Sequence, residues 1–130
     1  MNEGIKTDIG KIEWVDLTIG NAEEVKDFYK AVVGWRETSV RMDGYKDYNM
    51  VAVDSDEGVA GICHARGINA DLPAAWLIYI NVENLEDSMS RCRKLGGEVI
   101  AGPRSMGYYG RYCVIKDPSG AVSALFEKAL

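Results

Sequence analysis

The chain of 130 residues holds one histidine, three prolines and three cysteines, and its 15 basic side chains are outnumbered by 20 acidic ones. Each shortage excludes something. A net charge of −5 argues against a polyanionic partner, so neither nucleic acid nor an anionic membrane surface is expected. Cys63, Cys92 and Cys113 are odd in number and lack a CxxC spacing. That fits reduced thiols and a cytoplasmic location better than a disulfide framework. No apolar run approaches the roughly 20 residues that cross a bilayer. The opening Met1-Asn2-Glu3-Gly4-Ile5-Lys6 has no apolar stretch of the signal-peptide kind. Also missing are GxSxG, a P-loop, GxGxxG ahead of a helix, and HExxH. Hydrophobic content of 47% and charged content of 27% predict one ordinary globular domain, long enough to bury a core.

What the chain does have is an internal repeat. Residues 14–64 shifted by 63 positions fall on 77–127 without a gap. Leu17-Thr18-Ile19-Gly20-Asn21 lands on Ile80-Asn81-Val82-Glu83-Asn84, Glu24 on Asp87, Gly34 on Gly97 and Asp54 on Asp117. Few pairs are identical. The order of strand, capped helix, glycine and further strands is what recurs.

Lys11–Ile19 alternates apolar and polar residues and predicts a strand with one face on helices. Asn21 is a helix N-cap with Glu24 as its capping-box partner. Val25, Phe28, Tyr29 and Val32 form one helical stripe, and Gly34 ends that helix. Trp35–Val40 and Tyr45–Val53 predict strands joined through Asp43-Gly44, and Val59–Ala65 a fourth. Residues 66–74 are a linker. Ala75–Val82 opens the second copy. Asn84 caps a helix carrying Leu85, Met89, Cys92 and Leu95, which Gly96-Gly97 closes. Cys92 reads as packing on that helix. Glu98–Ala101 is a short strand that Gly102-Pro103 turns. Gly110–Lys116 and Ala121–Glu127 form a hairpin through Asp117-Pro118-Ser119-Gly120. Each copy is βαβββ.

A tandem βαβββ with Asp-Phe-Tyr-Lys-Ala-Val-Val-Gly-Trp closing the first helix and Lys-Asp-Pro-Ser-Gly-Ala-Val before the last strand resembles the vicinal oxygen chelate superfamily of glyoxalase I, bleomycin-resistance proteins, extradiol dioxygenases and methylmalonyl-CoA epimerase. Gly61-Ile62-Cys63-His64-Ala65-Arg66-Gly67 and Gly107-Tyr108-Tyr109-Gly110-Arg111-Tyr112 look most like its lactoylglutathione-lyase-related branch. The resemblance implies an α+β fold: one glyoxalase-like domain over residues 1–130, with curled mixed sheets around a cavity. Its modules would span about 11–65 and 75–127. It also implies a homodimer, which exposed sheet edges would favour.

In metal-dependent members, His or Glu side chains from the first and last strand of each copy converge on a divalent ion. The matching positions here are Trp14, Gly61, Leu77 and Ala124. None is a metal ligand, and one histidine rules out a two-histidine site. No metal and no cofactor is therefore expected, unless a register shift brings in Asp16, Cys63 or His64. With Trp14 facing the cavity, strand alternation adds Asp16, Thr18, Tyr79 and Asn81, beside Leu77, Ala124 and Phe126. The apolar, aromatic lining with few polar groups fits a small-molecule pocket.

Tyr48 and Arg111 are repeat-equivalent and are expected at matching places around it, although Tyr48, with Met50, is read equally as cavity wall or as core filling. His64 is a candidate base, or a histidine bonded to backbone at a strand end. Asp16 is a candidate base or ligand anchor that needs a partner if buried. Trp14 and Trp76 either stack on a ligand or fill core. The candidate ligand-binding set is Trp14, Asp16, Tyr48, His64, Leu77, Tyr79, Arg111, Ala124 and Phe126, with Asp16 and His64 as catalytic candidates. The leading reading is a metal-independent binder of a small organic molecule. Its alternative is a lyase, isomerase or dioxygenase using a non-standard metal site or Asp/His acid–base chemistry. A partner-binding module with a vestigial pocket is the third.

Overall fold

The computed structural model describes residues 7–130. The opening hexapeptide, with the expectation attached to it, lies outside them. The elements are β1 (Ile12–Ile19), α1 (Ala22–Val33), β2 (Arg36–Arg41), β3 (Lys46–Val51), β4 (Gly58–His64), β5 (Trp76–Asn81), α2 (Leu85–Lys94), β6 (Glu98–Ser105), β7 (Gly110–Lys116) and β8 (Val122–Lys128). The linker holds one 3₁₀ turn, Gly67–Asn69. This is the α+β fold with two βαβββ modules.

The described residues form two compact units: Trp14–Trp76, and Leu77–Leu130 together with residues 7–13. In the first unit the strands run β2-β3-β4-β1, and in the second β6-β7-β8-β5. Both sheets are mixed, because β1 pairs with β4 and β5 with β8 in parallel while the other pairs are antiparallel. The repeat carries into the register. Asp16 faces Gly61, Leu17 faces Ile62 and Thr18 faces Cys63. Shifted by the same offset, Tyr79 faces Ala124, Ile80 faces Leu125 and Asn81 faces Phe126.

Each sheet carries its helix on one face. Ala22 of α1 packs with Tyr48, Met50 and Ile62, flanked by Ile19, Tyr29, Trp35 and Trp76. Leu85 and Met89 of α2 pack with Cys113 and Leu125, flanked by Ile80, Val82, Val99 and Ile115. Burying such side chains supplies on the order of 1.5–3 kcal/mol each.

The first helix turns differently from its expected stripe. Phe28 and Val32 are 56% and 64% exposed. The buried residues are Ala22 and Lys26, with Tyr29 one turn on. Lys26 is held because its ammonium lies 2.9 Å from Asp27 and 3.2 Å from Glu37 and sits 4.7 Å above the Tyr48 ring. Apolar periodicity misses this face because a lysine stem buries like a hydrophobe when its head finds partners. Asn21 stands at the N-cap but makes no cap bond to the backbone; its amide donates to Glu24 instead. Asn84 caps α2 as expected, accepting from the Asp87 N–H. Leu95 is exposed rather than buried on α2. Gly102-Pro103 does not end β6, which runs on to Ser105 with its pairing register shifted at that point.

Candidate functional site

The helix-free face of the first sheet is built around Asp16. Its neighbours on β1, Leu17 and Ile19, face α1, so alternation turns Trp14, Asp16 and Thr18 the other way. The Trp14 indole N–H donates to Asp16 Oδ1 at 2.5 Å. That same oxygen fills the space a Cβ at Gly61 would need, with the Trp14 ring close behind it. Glycine at 61 is therefore what lets the carboxylate lie flat on β4. Cys63 follows on the same face. Burial, reinforced by the Asp16 and Asp47 carboxylates, pushes its thiol well above the ordinary range. A protonated thiol is neither a nucleophile nor a metal ligand.

On the second sheet the equivalent positions are apolar and aromatic. Leu77, Tyr79 and Ala124 are buried, and Phe126 lies on the same face by alternation. Tyr112 joins them, its ring centroid 6.0 Å from that of Tyr79. Sequence reasoning missed Tyr112. Alternation along β7 would have found it once Cys113 was assigned to the helix side.

Three expected site residues lie elsewhere. Tyr48 and Arg111 do occupy matching places on β3 and β7, but those places face the helices. Tyr48 pairs opposite Ile62 and belongs to the core beneath α1. Arg111 is committed to ion pairs, with its guanidinium 2.6 and 2.8 Å from the two Glu86 oxygens and 2.5 Å from Glu127. Hydrogen bonds to those glutamates raise its pKa further. Glu127 also accepts the Leu85 N–H at 3.3 Å, tying this corner to the first turn of α2. His64 stands at the end of β4, where its ring contacts Tyr45 and Tyr48. Its backbone N–H donates to Asp47 Oδ1 at 2.8 Å, and its Nδ1 is 3.3 Å from the same oxygen. Asp47 is buried and was not singled out from the sequence.

The donor set does not fit the divalent ion that the fold family implies. An indole N–H donates, and glycine, leucine and alanine offer no side-chain donor atom. Among the described residues, no three His, Cys, Asp or Glu side chains gather as a metal would require. A separate recess of about 620 Å³ in the second unit lies at the start of α2, lined in part by Ile9, Gly10, Asn81, Asn84, Asp87 and Arg91. Its floor residues Ile80 and Val82 belong to the helix side, so it is distinct from the Tyr79–Tyr112 face.

The family model described as Glyoxalase/Bleomycin resistance protein/Dioxygenase superfamily matches residues 11–124. CFP32 of Mycobacterium tuberculosis, which carries a glyoxylase name, is 27% identical over 92% of this chain and 45% of its own length. Anthracycline biosynthesis protein DnrV of Streptomyces peucetius is 29% identical over 93% of this chain and 48% of its own. The chain thus spans about half the length of the curated relatives it matches. Among solved structures, methylmalonyl-CoA epimerase from Mycobacterium tuberculosis superposes with a TM-score of 0.56 at 17% identity, covering 97% of this chain and 93% of that one.

Proposed function

The chain belongs to the Glyoxalase/Bleomycin resistance protein/Dioxygenase superfamily, and from that premise we propose that it binds a small, flat aromatic molecule on the helix-free face of its second sheet, with no divalent metal at the superfamily's usual positions. One observation carries this reading. The helix-free face of the second sheet holds Leu77 and Ala124 where metal donors would stand, and on the same face Tyr79 lies beside Tyr112. Aromatic faces stack on flat ligands. The likeness to an anthracycline biosynthesis protein supports a fused-ring ligand. Acid–base work shared by Asp16 and His64 is not adopted, because the carboxylate beside the imidazole is Asp47, while Asp16 takes the Trp14 indole.

The test is a thermal-shift titration of metal-stripped protein with an anthracycline. A saturable rise in Tm, reduced in Tyr79→Ala and Tyr112→Ala, is expected. No shift in the wild type, or a shift that needs added metal, overturns it.

The proposed assembly is a homodimer. Relatives about twice as long as this chain support it, since two copies supply a comparable number of residues. Light scattering should give about twice the 14.3 kDa chain mass; a monomer at tens of micromolar contradicts it. The free thiols of Cys63, Cys92 and Cys113 support placing the protein in the reducing cytoplasm.

A further inference from the structure

The two modules offer an internal control, because equivalent corners can be compared within one chain. In the second, the corner where β7 and β8 meet α2 is closed: Arg111 is taken up by Glu86 and Glu127. In the first, the residue equivalent to Glu127 is His64, and the one equivalent to Arg111 is the buried Tyr48. Here Lys26, paired with Asp27 and Glu37, lies over the Tyr48 ring, and among the described residues no arginine takes the place of Arg111 beside His64. Instead Asp47 holds the imidazole from one side, taking the backbone N–H of His64 and lying beside Nδ1. Nε2 has no hydrogen-bond partner among the described residues. No such unpaired atom of a non-exposed residue is buried, so Nε2 meets solvent.

Tyr45 stands edge-on to that imidazole, with ring centroids 5.5 Å apart and planes at 80°. The Arg66 guanidinium lies 4.1 Å above the Tyr45 ring. A guanidinium over a ring keeps N–H donors for other partners, and no carboxylate of the described residues pairs with it. Two cationic or hydrogen-donating groups therefore flank one ring. Neither is spent within the protein, in a chain with an excess of acidic residues. Asp47 accepts from Nδ1–H, so Nε2 is an acceptor in the neutral imidazole and a donor when the ring is protonated.

We propose that Tyr45, His64 and Arg66 form a second ligand site in the first module, for a small molecule bearing a carboxylate or phosphate group. The planar oxyanion edge takes the Arg66 fork in a charge-assisted pair, and the protonated form of His64 donates its Nε2–H to a further oxygen. Tyr45 supplies the platform that orients both. This site is independent of the aromatic face around Tyr79, so either stands if the other falls.

The single histidine makes the test direct, because the chain gives one set of imidazole ring signals. These are followed by NMR while inorganic phosphate and, separately, benzoate are added at constant ionic strength, with chloride as the control. A saturating shift is expected with at least one of them. Saturation should move about tenfold higher in concentration in Arg66→Gln, reflecting the lost charge-assisted pair, and stay unchanged in Arg36→Gln. Saturation by phosphate alone assigns a phosphate ester, by benzoate alone a carboxylate, and by both an oxyanion in general. A shift that stays linear, matches chloride or survives Arg66→Gln overturns the site. Should Arg66→Gln disturb the amide spectrum, Tyr45→Leu, which removes the platform, replaces it with the same expected loss.

Discussion

Asp16 Oδ1 occupies the space that any side chain at Gly61 would need, and Trp14 holds it there through the indole N–H. The two residues face each other across the β1–β4 pairing, so the carboxylate and the glycine are one arrangement. Gly61→Ala should therefore displace Asp16 and destabilise the fold by about 1–3 kcal/mol, as overpacking does. Asp16→Ala in the same chain should recover most of that loss. Denaturant unfolding of both single variants and the double variant reads the coupling, and additive losses would show that the two do not share the space.

Lys26 and Met89 are equivalent by the repeat, and both are buried. Lys26→Met should be tolerated within about 1 kcal/mol, since a buried ion pair is often replaceable by an apolar side chain of similar length. Glu37 keeps Lys30 at 2.8 Å. Lys26→Ala removes the packed stem as well and should cost about 1–3 kcal/mol more than Lys26→Met. Urea denaturation compares the two.

Arg111 bridges α2 and β8 through Glu86 and Glu127. Arg111→Ala should lower stability by roughly 1 kcal/mol, a discounted figure because the side chain is partly solvent-screened. It should leave binding of an anthracycline within about twofold of wild type, because the residue faces the helix. A tenfold loss of affinity with unchanged Tm would return Arg111 to the ligand site.

Asp8 is held to a pKa of about 2 by hydrogen bonds from Lys11 and Lys128, with their charges adding to the effect. A carboxyl depressed in the folded state stabilises fully above its unfolded pKa, near 4, and loses that contribution as pH falls toward 2. Tm should therefore decline across that window, and Asp8→Asn should lower Tm at neutral pH while flattening the decline. An Asp8→Asn curve parallel to wild type at every pH contradicts this.

The fold was legible because the repeat fixes more than element order. Its offset reappears in the pairings Asp16–Gly61 and Tyr79–Ala124. Alternation correctly set Asp16 and Tyr79 on the faces opposite Leu17 and Ile80. It did not reach Tyr48, whose side depends on the β3–β4 register that sets it opposite Ile62, and a hairpin signal alone does not specify that register. Arg111 followed Tyr48 to the helix face for the same reason. Lys26 was invisible because its burial depends on Asp27, Glu37 and the Tyr48 ring, partners brought together only by folding. Asp47 was passed over as an ordinary polar strand residue, since its role is to take the His64 backbone N–H from a neighbouring strand.

The most direct measurement is calorimetric titration of an anthracycline into metal-stripped protein, repeated with Tyr79→Ala and Tyr112→Ala. Saturable binding without metal is predicted, weakened by about 0.5–1.5 kcal/mol in each variant through lost ring contact. Absence of saturable binding, restoration only by zinc, nickel or manganese, or equal affinity in all three proteins would contradict the account.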